Sequence, residues 1–134
     1  MTYLLDTNII TAILKRNERI VQKLEAVGRQ GQQVYISCIT YYEVKRGLLY
    51  VNATRQLSEF EGLCRRIPVI LLDDLEILER AAEIHADLKL RGTPIQEADI
   101  FIAATAITRG LILVSHDSDM LRVRGVTVEN WFAL

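Results

Sequence analysis

Four acidic residues, spread over most of the chain, occur where apolar segments end or begin. Asp6 follows the apolar run in "YLLDTNII", and Glu43 follows the one in "VYISCITYYEV". Asp99 opens the apolar segment in "IQEADIFIAATA", and Asp117 comes just after the run in "LILVSHDSDM". Carboxylate oxygens without Cys or His favour hard cations such as Mg²⁺ or Mn²⁺. Ions of this kind can activate water and stabilise the leaving oxygen of a phosphodiester, so the pattern indicates a nuclease.

Each of these acids also has an ordinary structural explanation. Asp6 and Asp99 could stabilise helix amino ends through the helix dipole, by about 0.3 to 1 kcal/mol each. Thr40 and Glu43 have the spacing of a capping box, and Asp117 falls in a predicted turn. The coincidence of four acids favours a shared site. Like charges about 5 Å apart cost on the order of 3 kcal/mol per pair at an effective dielectric constant near 20, so such a cluster needs a cation.

The elements predicted around these acids explain how they could meet. Short runs rich in β-branched residues predict strands at 3–5, 34–36, 69–72 and 111–114, with a short last edge strand at 126–128. Helical periodicity predicts helices at 9–14, 19–27, 41–51, 55–64, 75–90 and 100–109, the last ending at Gly110. This alternation predicts an α/β fold with three layers, α/β/α, and a mainly parallel central sheet of about four to five strands. Ligands bind at the carboxyl ends of such strands, where all four acids are predicted to lie.

Composition is consistent with one globular domain over residues 1–134. The chain has 134 residues, of which 50% are hydrophobic and 25% charged, and its net charge is -1. This charge gives no overall attraction to a polyanion, so nucleic-acid binding would need local clusters. The two cysteines, Cys38 and Cys64, form no CxxC pattern, which argues against a zinc site or a disulfide framework. No secretory signal or membrane-spanning segment is evident, so we expect a cytoplasmic protein with no membrane partner.

Basic residues form two groups that could contact phosphates. One group follows the first acidic motif and the other lies one turn or less after Glu43: Lys15, Arg16, Arg19 and Lys23, then Lys45 and Arg46. Charge runs on helices are usually solvated faces, so these are weaker candidates than the acids. The predicted helices within 7–27 and 41–64 carry more apolar residues than a small sheet needs, which is typical of a partner-binding groove.

The segments "LLDTNII", "TYYEVKRGL", "EADIFIAATA" and "LILVSHDSDM", in this order between Tyr3 and Trp131, resemble the PIN-domain ribonucleases, especially the VapC toxins of bacterial type II toxin–antitoxin pairs. This resemblance implies an Mg²⁺-dependent endoribonuclease, with Mn²⁺ as the other candidate ion. It implies an RNA substrate (tRNA, rRNA or mRNA), inhibition by a cognate antitoxin that binds the apolar helices, and pairing of the toxin as a homodimer.

The resemblance also assigns roles to individual residues. It implies catalytic and metal-binding roles for Asp6, Glu43, Asp99 and Asp117, with Thr7, Asn8, Ser115 and Asp119 in support. The fourth motif departs from the family pattern, which often runs Thr-x-Asn/Asp, an acid and Phe, whereas this chain has "SHDSDM". Asp117 or Asp119 could be the fourth acid, and the spacing of two residues from Ser115 favours Asp117.

Three other interpretations have to be weighed on the residues alone. A receiver-like Mg²⁺-binding signalling domain would have paired acids after the first strand and a late lysine, but Asp6 stands alone and no lysine follows Lys89. A phosphatase of the haloacid dehalogenase type would have a second Asp at the position of Asn8. The other alternative keeps the PIN fold without activity, as an RNA- or partner-binding module.

Overall fold

The central feature of the fold is a parallel sheet, seen in a computed structural model that describes residues 1–133. Leu134, the last residue of the predicted domain, lies outside the described residues. The strands are β1 (Thr2–Leu5), β2 (Gln33–Ser37), β3 (Val69–Ile70), β4 (Ile112–Val114) and β5 (Val128–Glu129). They form one sheet in the order β3-β2-β1-β4-β5, and every neighbouring pair is parallel.

Helices cover both faces of this sheet. They are α1 (Thr7–Leu14), α2 (Glu18–Arg29), α3 (Cys38–Tyr50), α4 (Thr54–Arg66), α5 (Leu75–Leu90) and α6 (Glu97–Arg109), and a 3-10 turn follows at Ser118–Arg122. Side chains alternate across β1, so that Leu5 packs with α1 to α4 whereas Leu4 packs with α5 and α6. Both leucines are fully buried, as expected for a parallel sheet covered on both faces. The predicted three-layer α/β/α fold is confirmed.

The strand order defines where a ligand site can form. The chain runs from β1 outward through β2 to β3, and then returns to add β4 and β5 on the other side of β1. The order therefore reverses between β1 and β4. Loops diverge from such a reversal at the carboxyl ends of the two strands and leave a crevice there. Asp6 directly follows β1, and Ser115 directly follows β4.

Several predicted boundaries differ from the structure. Helix α3 begins at Cys38 rather than residue 41, because Ser37 caps it. Strand β3 is limited to two residues, although the sequence predicts 69–72, and the predicted last strand at 126–128 is shifted to Val128–Glu129. Helix α6 ends as predicted at Gly110, whose φ of 66° lies in the left-handed region that favours glycine. Within residues 1–133, no helix is long and apolar enough to span a membrane.

Candidate metal centre

Asp6 is a buried carboxylate at the start of α1. It is 2% exposed, and its backbone N–H donates to the carbonyl of Val114 in β4 (2.9 Å). Its Oδ1 accepts a hydrogen bond from the backbone N–H of Thr7 (2.8 Å), which caps α1. Its Oδ2 accepts from the hydroxyl of Ser115 (2.7 Å) and from the side-chain amide of Asn8 (3.3 Å). Asp6 therefore caps a helix, as the structural explanation predicted, and also faces the loop after β4.

Asn8 and Ser115 connect the start of α1 to that loop. The Oδ1 atom of Asn8 accepts from the backbone N–H of His116 (3.0 Å), and Ser115 Oγ accepts from the backbone N–H of Asp117 (3.0 Å). Ser115 is 2% exposed, so water does not compete strongly for the bonds that its hydroxyl makes. The network fixes the backbone on either side of the crevice. Asp6 and Asp117 are thus held in a defined relative position.

Glu43 is held by a side chain from another element. Its Oε1 accepts a hydrogen bond from the hydroxyl of Thr7 (2.8 Å), and the hydroxyl oxygens of Thr7 and Thr40 lie 3.1 Å apart. The Glu43 side chain is 19% exposed, and its Oε2 lies 3.9 Å from Arg46 Nη2. Thr7 therefore links the first acidic motif to the second and aims Glu43 toward the crevice.

The predicted capping box of Thr40 and Glu43 is absent, and that structural explanation of Glu43 is wrong. Ser37 is the N-cap of α3, and its hydroxyl accepts from the backbone N–H of Ile39 (3.0 Å). Thr40 and Glu43 consequently lie inside the helix, one turn apart on the face toward α1. Because the helix already has its cap, the carboxylate of Glu43 is available for another purpose.

Asp99, Asp117 and Asp119 form a compact carboxylate cluster. One oxygen from each side chain lies within 4.8 Å of the others. Asp99 belongs to the first turn of α6, and the 3-10 turn brings Asp119 back toward it, with Asp117 Oδ1 accepting from the Asp119 N–H (2.9 Å). Asp119 also forms an ion pair with Arg122 (3.2 Å), so part of its charge is already compensated. Both candidates for the fourth acid therefore lie at the cluster.

Burial and the charges of neighbouring acids raise the pKa values of Asp99 and Asp6. Burial raises the pKa of Asp99 to about 7, with further increases caused by the carboxylates of Asp6, Asp117, Glu43 and Asp119. The pKa of Asp6 is also raised, mainly by burial, with the charges of Asp117 and Glu43 adding to it. Hydrogen bonds from Ser115 and Thr7 oppose this increase. The predicted acids thus lie near enough to one another for mutual repulsion.

These residues have the donor chemistry that a divalent cation requires. The cluster offers carboxylate oxygens, which suit Mg²⁺ or Mn²⁺ better than softer metals. A cation among them would replace repulsion by attraction and so lower the raised pKa of Asp99. The residues fit a hard divalent ion.

The predicted phosphate-binding residues do not all lie at this centre. Lys15 and Arg16 follow the far end of α1, about 12 Å along its axis from Asp6 at 1.5 Å per residue. Arg16 there pairs with Glu59 (2.9 Å). Lys45 pairs with Glu61 (3.4 Å). Of the four, Arg46 is the one that approaches an acid of the centre, Glu43.

Thr40 and His116 are parts of the site whose surroundings the sequence did not indicate. Thr40 was predicted to cap a helix but contacts Thr7 instead. His116 is exposed beside Asp117, and its ring packs on Phe132 with the centroids 4.8 Å apart. The adjacency to Asp117 was visible in the sequence. The contact with the end of the chain depends on the position of β5 and was not.

Comparisons with known proteins agree with this architecture. The PIN domain family model matches residues 3–126. Ribonuclease VapC2 of Haemophilus influenzae is 36% identical over 141 aligned residues, with 98% of both chains covered. The tRNA(fMet)-specific endonuclease VapC of Shigella flexneri is 30% identical over 133 residues, again with 98% of both covered.

Solved structures give the same result at the level of the fold. The structure of VapBC-1 from nontypeable Haemophilus influenzae superposes with a TM-score of 0.87 at 26% identity, covering 99% of this chain and 100% of that one. VapBC assemblies are toxin–antitoxin complexes.

Proposed function

This chain belongs to the PIN-domain family, and from that membership and its acidic centre we propose that it is an Mg²⁺-dependent endoribonuclease, the toxin of a type II toxin–antitoxin pair. The observation that carries the proposal is the cluster of Asp99, Asp117 and Asp119, coupled electrostatically to Asp6 and Glu43. Relatives named as VapC ribonucleases over nearly the whole chain support the ribonuclease activity. Family membership also disfavours the receiver-like alternative.

The ion would be held by Asp99 and Asp117, with Asp6, Glu43 and Asp119 completing the negative site. When bound, a divalent cation would stabilise charge on the phosphate oxygens and lower the pKa of the attacking water. Mg²⁺ is the proposed ion and Mn²⁺ the alternative, because the hard oxygen donors of the site suit both.

The protein's own groups would orient the reactants. Asp6 is fixed by Ser115 and Asn8, so its carboxylate needs no reorganisation when substrate enters. Glu43, positioned by Thr7, accepts the proton of the attacking water at Oε2. Water attacks phosphorus in line, the bond from phosphorus to the 3′ oxygen breaks, and that oxygen takes up a proton from solvent. The products are a 3′-hydroxyl and a 5′-phosphate.

We further propose that residues 1–134 work as a single PIN-like nuclease domain on cytoplasmic RNA and that the toxin forms a homodimer. An antitoxin partner is supported by the similarity to VapBC complexes. Apolar side chains left exposed on α3 and just after it, namely Tyr42 (59%), Leu49 (58%), Tyr50 (90%) and Val51 (65%), offer surface for such assembly.

The test is cleavage of total RNA and of purified tRNA by the protein with Mg²⁺ or with EDTA. We expect cleavage with Mg²⁺ alone, and its loss in Asp6→Asn, which keeps an oxygen for the helix cap. The matched control is Glu79→Gln, an equal loss of charge on the exposed face of α5. RNA that stays intact under both conditions would contradict the proposed activity and favour the inactive alternative, an RNA- or partner-binding module.

A further inference from the structure

Beside the acidic centre lies a second surface, formed by the loop after β4, the segment after β5 and the first turns of α2. His116 follows Ser115 directly and precedes Asp117, so its backbone is part of the centre. Its side chain is exposed and turns toward the segment after β5. We call the surface lined by His116, Asn130, Phe132, Arg19 and Lys23 the His116 cleft.

The orientation of His116 is determined by two partners. One is the Phe132 ring, 4.8 Å away between centroids and tilted by 51°. The other is Asn130, whose Nδ2 lies 3.4 Å from His116 Nδ1. Asn130 Oδ1 accepts from the Phe132 N–H (2.9 Å), which leaves Nδ2 as the atom that donates to the imidazole. The neutral imidazole then carries its proton on Nε2, where it can donate to a ligand.

The segment after β5 is held rigidly. The carbonyl of Phe132 accepts from Arg19 Nη1 of α2 (2.8 Å), and the Trp131 indole donates to Glu129 (2.9 Å). Trp131 is 3% exposed and packs edge-on against Tyr3 of β1, with the centroids 5.6 Å apart. His116 therefore rests against an aromatic ring on an anchored segment. A prearranged surface of this kind loses little conformational freedom on binding.

The His116 cleft shares three residues, Arg19, Lys23 and Asn130, with a cavity. This cavity has a volume of about 420 Å³. Its other lining residues are Gln22, Glu129, Trp131 and Ala133. Its volume falls in the range of about 300 to 1,000 Å³ that is typical of small-molecule sites. Asn130 lines this cavity and also contacts the His116 ring. The two cations of the cavity, Arg19 and Lys23, outnumber its acid, Glu129, so the path from Asp117 through His116 to Lys23 changes from acidic to aromatic and then to basic.

We propose that the His116 cleft binds a nucleotide flanking the scissile phosphate, with its base stacked on His116 and its backbone phosphate bound by Arg19 and Lys23. This assignment rests on the proposed function, because it extends the RNA path away from the acidic centre. An exposed aromatic surface beside cations can bind single-stranded RNA, because every base has a π-face that can stack and every nucleotide carries a phosphate.

Kinetics with a short single-stranded RNA of mixed sequence test the stacking. We expect His116→Ala to raise KM by about tenfold, the effect expected for one base–aromatic contact. His116→Phe keeps a ring and should recover most of that loss. A KM that is unchanged in His116→Ala, or that stays raised in His116→Phe, overturns the stacking assignment.

Binding of the same labelled RNA in EDTA tests the phosphate contact without requiring cleavage. Lys23→Gln should reduce the slope of log Kd against log salt by about 0.7, the value expected for one phosphate contact on a single strand. Lys89→Gln, an equal change at the exposed end of α5, should leave the slope unchanged. Equal slopes in the two variants would overturn the assignment. Weaker binding of the antitoxin by Lys23→Gln, with RNA binding unchanged, would also overturn it. Absence of Mg²⁺-dependent cleavage by the unaltered protein would instead refute the proposed function, and the salt slopes would still decide the cleft.

Discussion

The hydroxyl of Ser115, at the end of β4, donates a 2.7 Å hydrogen bond to the carboxylate of Asp6 at the end of β1. Both residues are 2% exposed, and they are 109 positions apart in the chain. Burial alone would favour the protonated form of Asp6, and this bond opposes that tendency. The same contact joins the two strands between which the sheet order reverses. One hydroxyl therefore stabilises the fold and orients an acid of the candidate centre.

Replacing Ser115 with alanine should weaken both roles. The free energy of unfolding should fall by about 1.5 to 3 kcal/mol, because the lost bond is buried and involves a charged group. The pKa of Asp6 should rise further, since the bond from Ser115 lowers it. Urea denaturation near neutral pH measures the first effect, with Ser118→Ala, an exposed serine of the 3-10 turn, as the control. Equal stability of the two variants would contradict this account.

Thr7→Val should release Glu43. Valine has the shape of threonine but cannot donate the 2.8 Å hydrogen bond to Glu43. We expect a loss of about 1 kcal/mol in stability, the typical value for such a bond. The cleavage rate should fall in parallel, because Glu43 loses its orientation toward the crevice. Thr7→Ser keeps the hydroxyl and serves as the comparison, and a valine variant as active as the serine variant would exclude a positioning role for Thr7.

The sequence was sufficient to predict the layers of the fold. The apolar residues of β1 are buried on both faces, and Tyr3, Leu4 and Leu5 are at most 4% exposed. A strand of this kind appears in the sequence as a continuous apolar run. The helices between the strands show the hydrophobic periodicity of an α-helix, about 3.6 residues per turn. The same reasoning placed Asp6 and Asp117 at strand ends on one edge of the sheet. Predicting that edge required only the fact that the strands are parallel.

The contacts within the site depend on details that periodicity does not encode. Ser37 caps α3, whereas the spacing of Thr40 and Glu43 favoured a later start. The local pattern could not distinguish these two starts, because serine and threonine are both favoured N-cap residues. The position of Asp119 depends on a 3-10 turn, an element without a strong sequence signal. The sequence favoured Asp117 as the fourth acid by its spacing alone. In the structure both Asp117 and Asp119 lie at the cluster.

Asp99→Asn should stabilise the metal-free protein at alkaline pH. In the folded protein the pKa of Asp99 is about 7, against 3.8 for an ordinary Asp. Between these values the folded state binds more protons than the unfolded state, so stability falls as pH rises toward 7 and stays lower above it. Asparagine removes this loss. Thermal unfolding in EDTA should show the variant more stable than the original protein above pH of about 7, with the difference vanishing below about 4.

Mg²⁺ binding should depend on pH through the same carboxyl group. A cation competes with the proton on Asp99, so its affinity should fall by up to about tenfold per pH unit below the pKa. That pKa is about 7, so the loss of Mg²⁺ affinity should begin close to neutral pH.

Calorimetric titration with Mg²⁺ in buffers of different ionisation enthalpy would also report the release of close to one proton per ion when Asp99 is initially protonated. Glu79→Gln should behave like the unaltered protein, because Glu79 is exposed on α5 outside the centre. An affinity that stays constant from mildly acidic to alkaline pH would mean that Asp99 does not ligate the ion. The five acids would then need another explanation for their proximity.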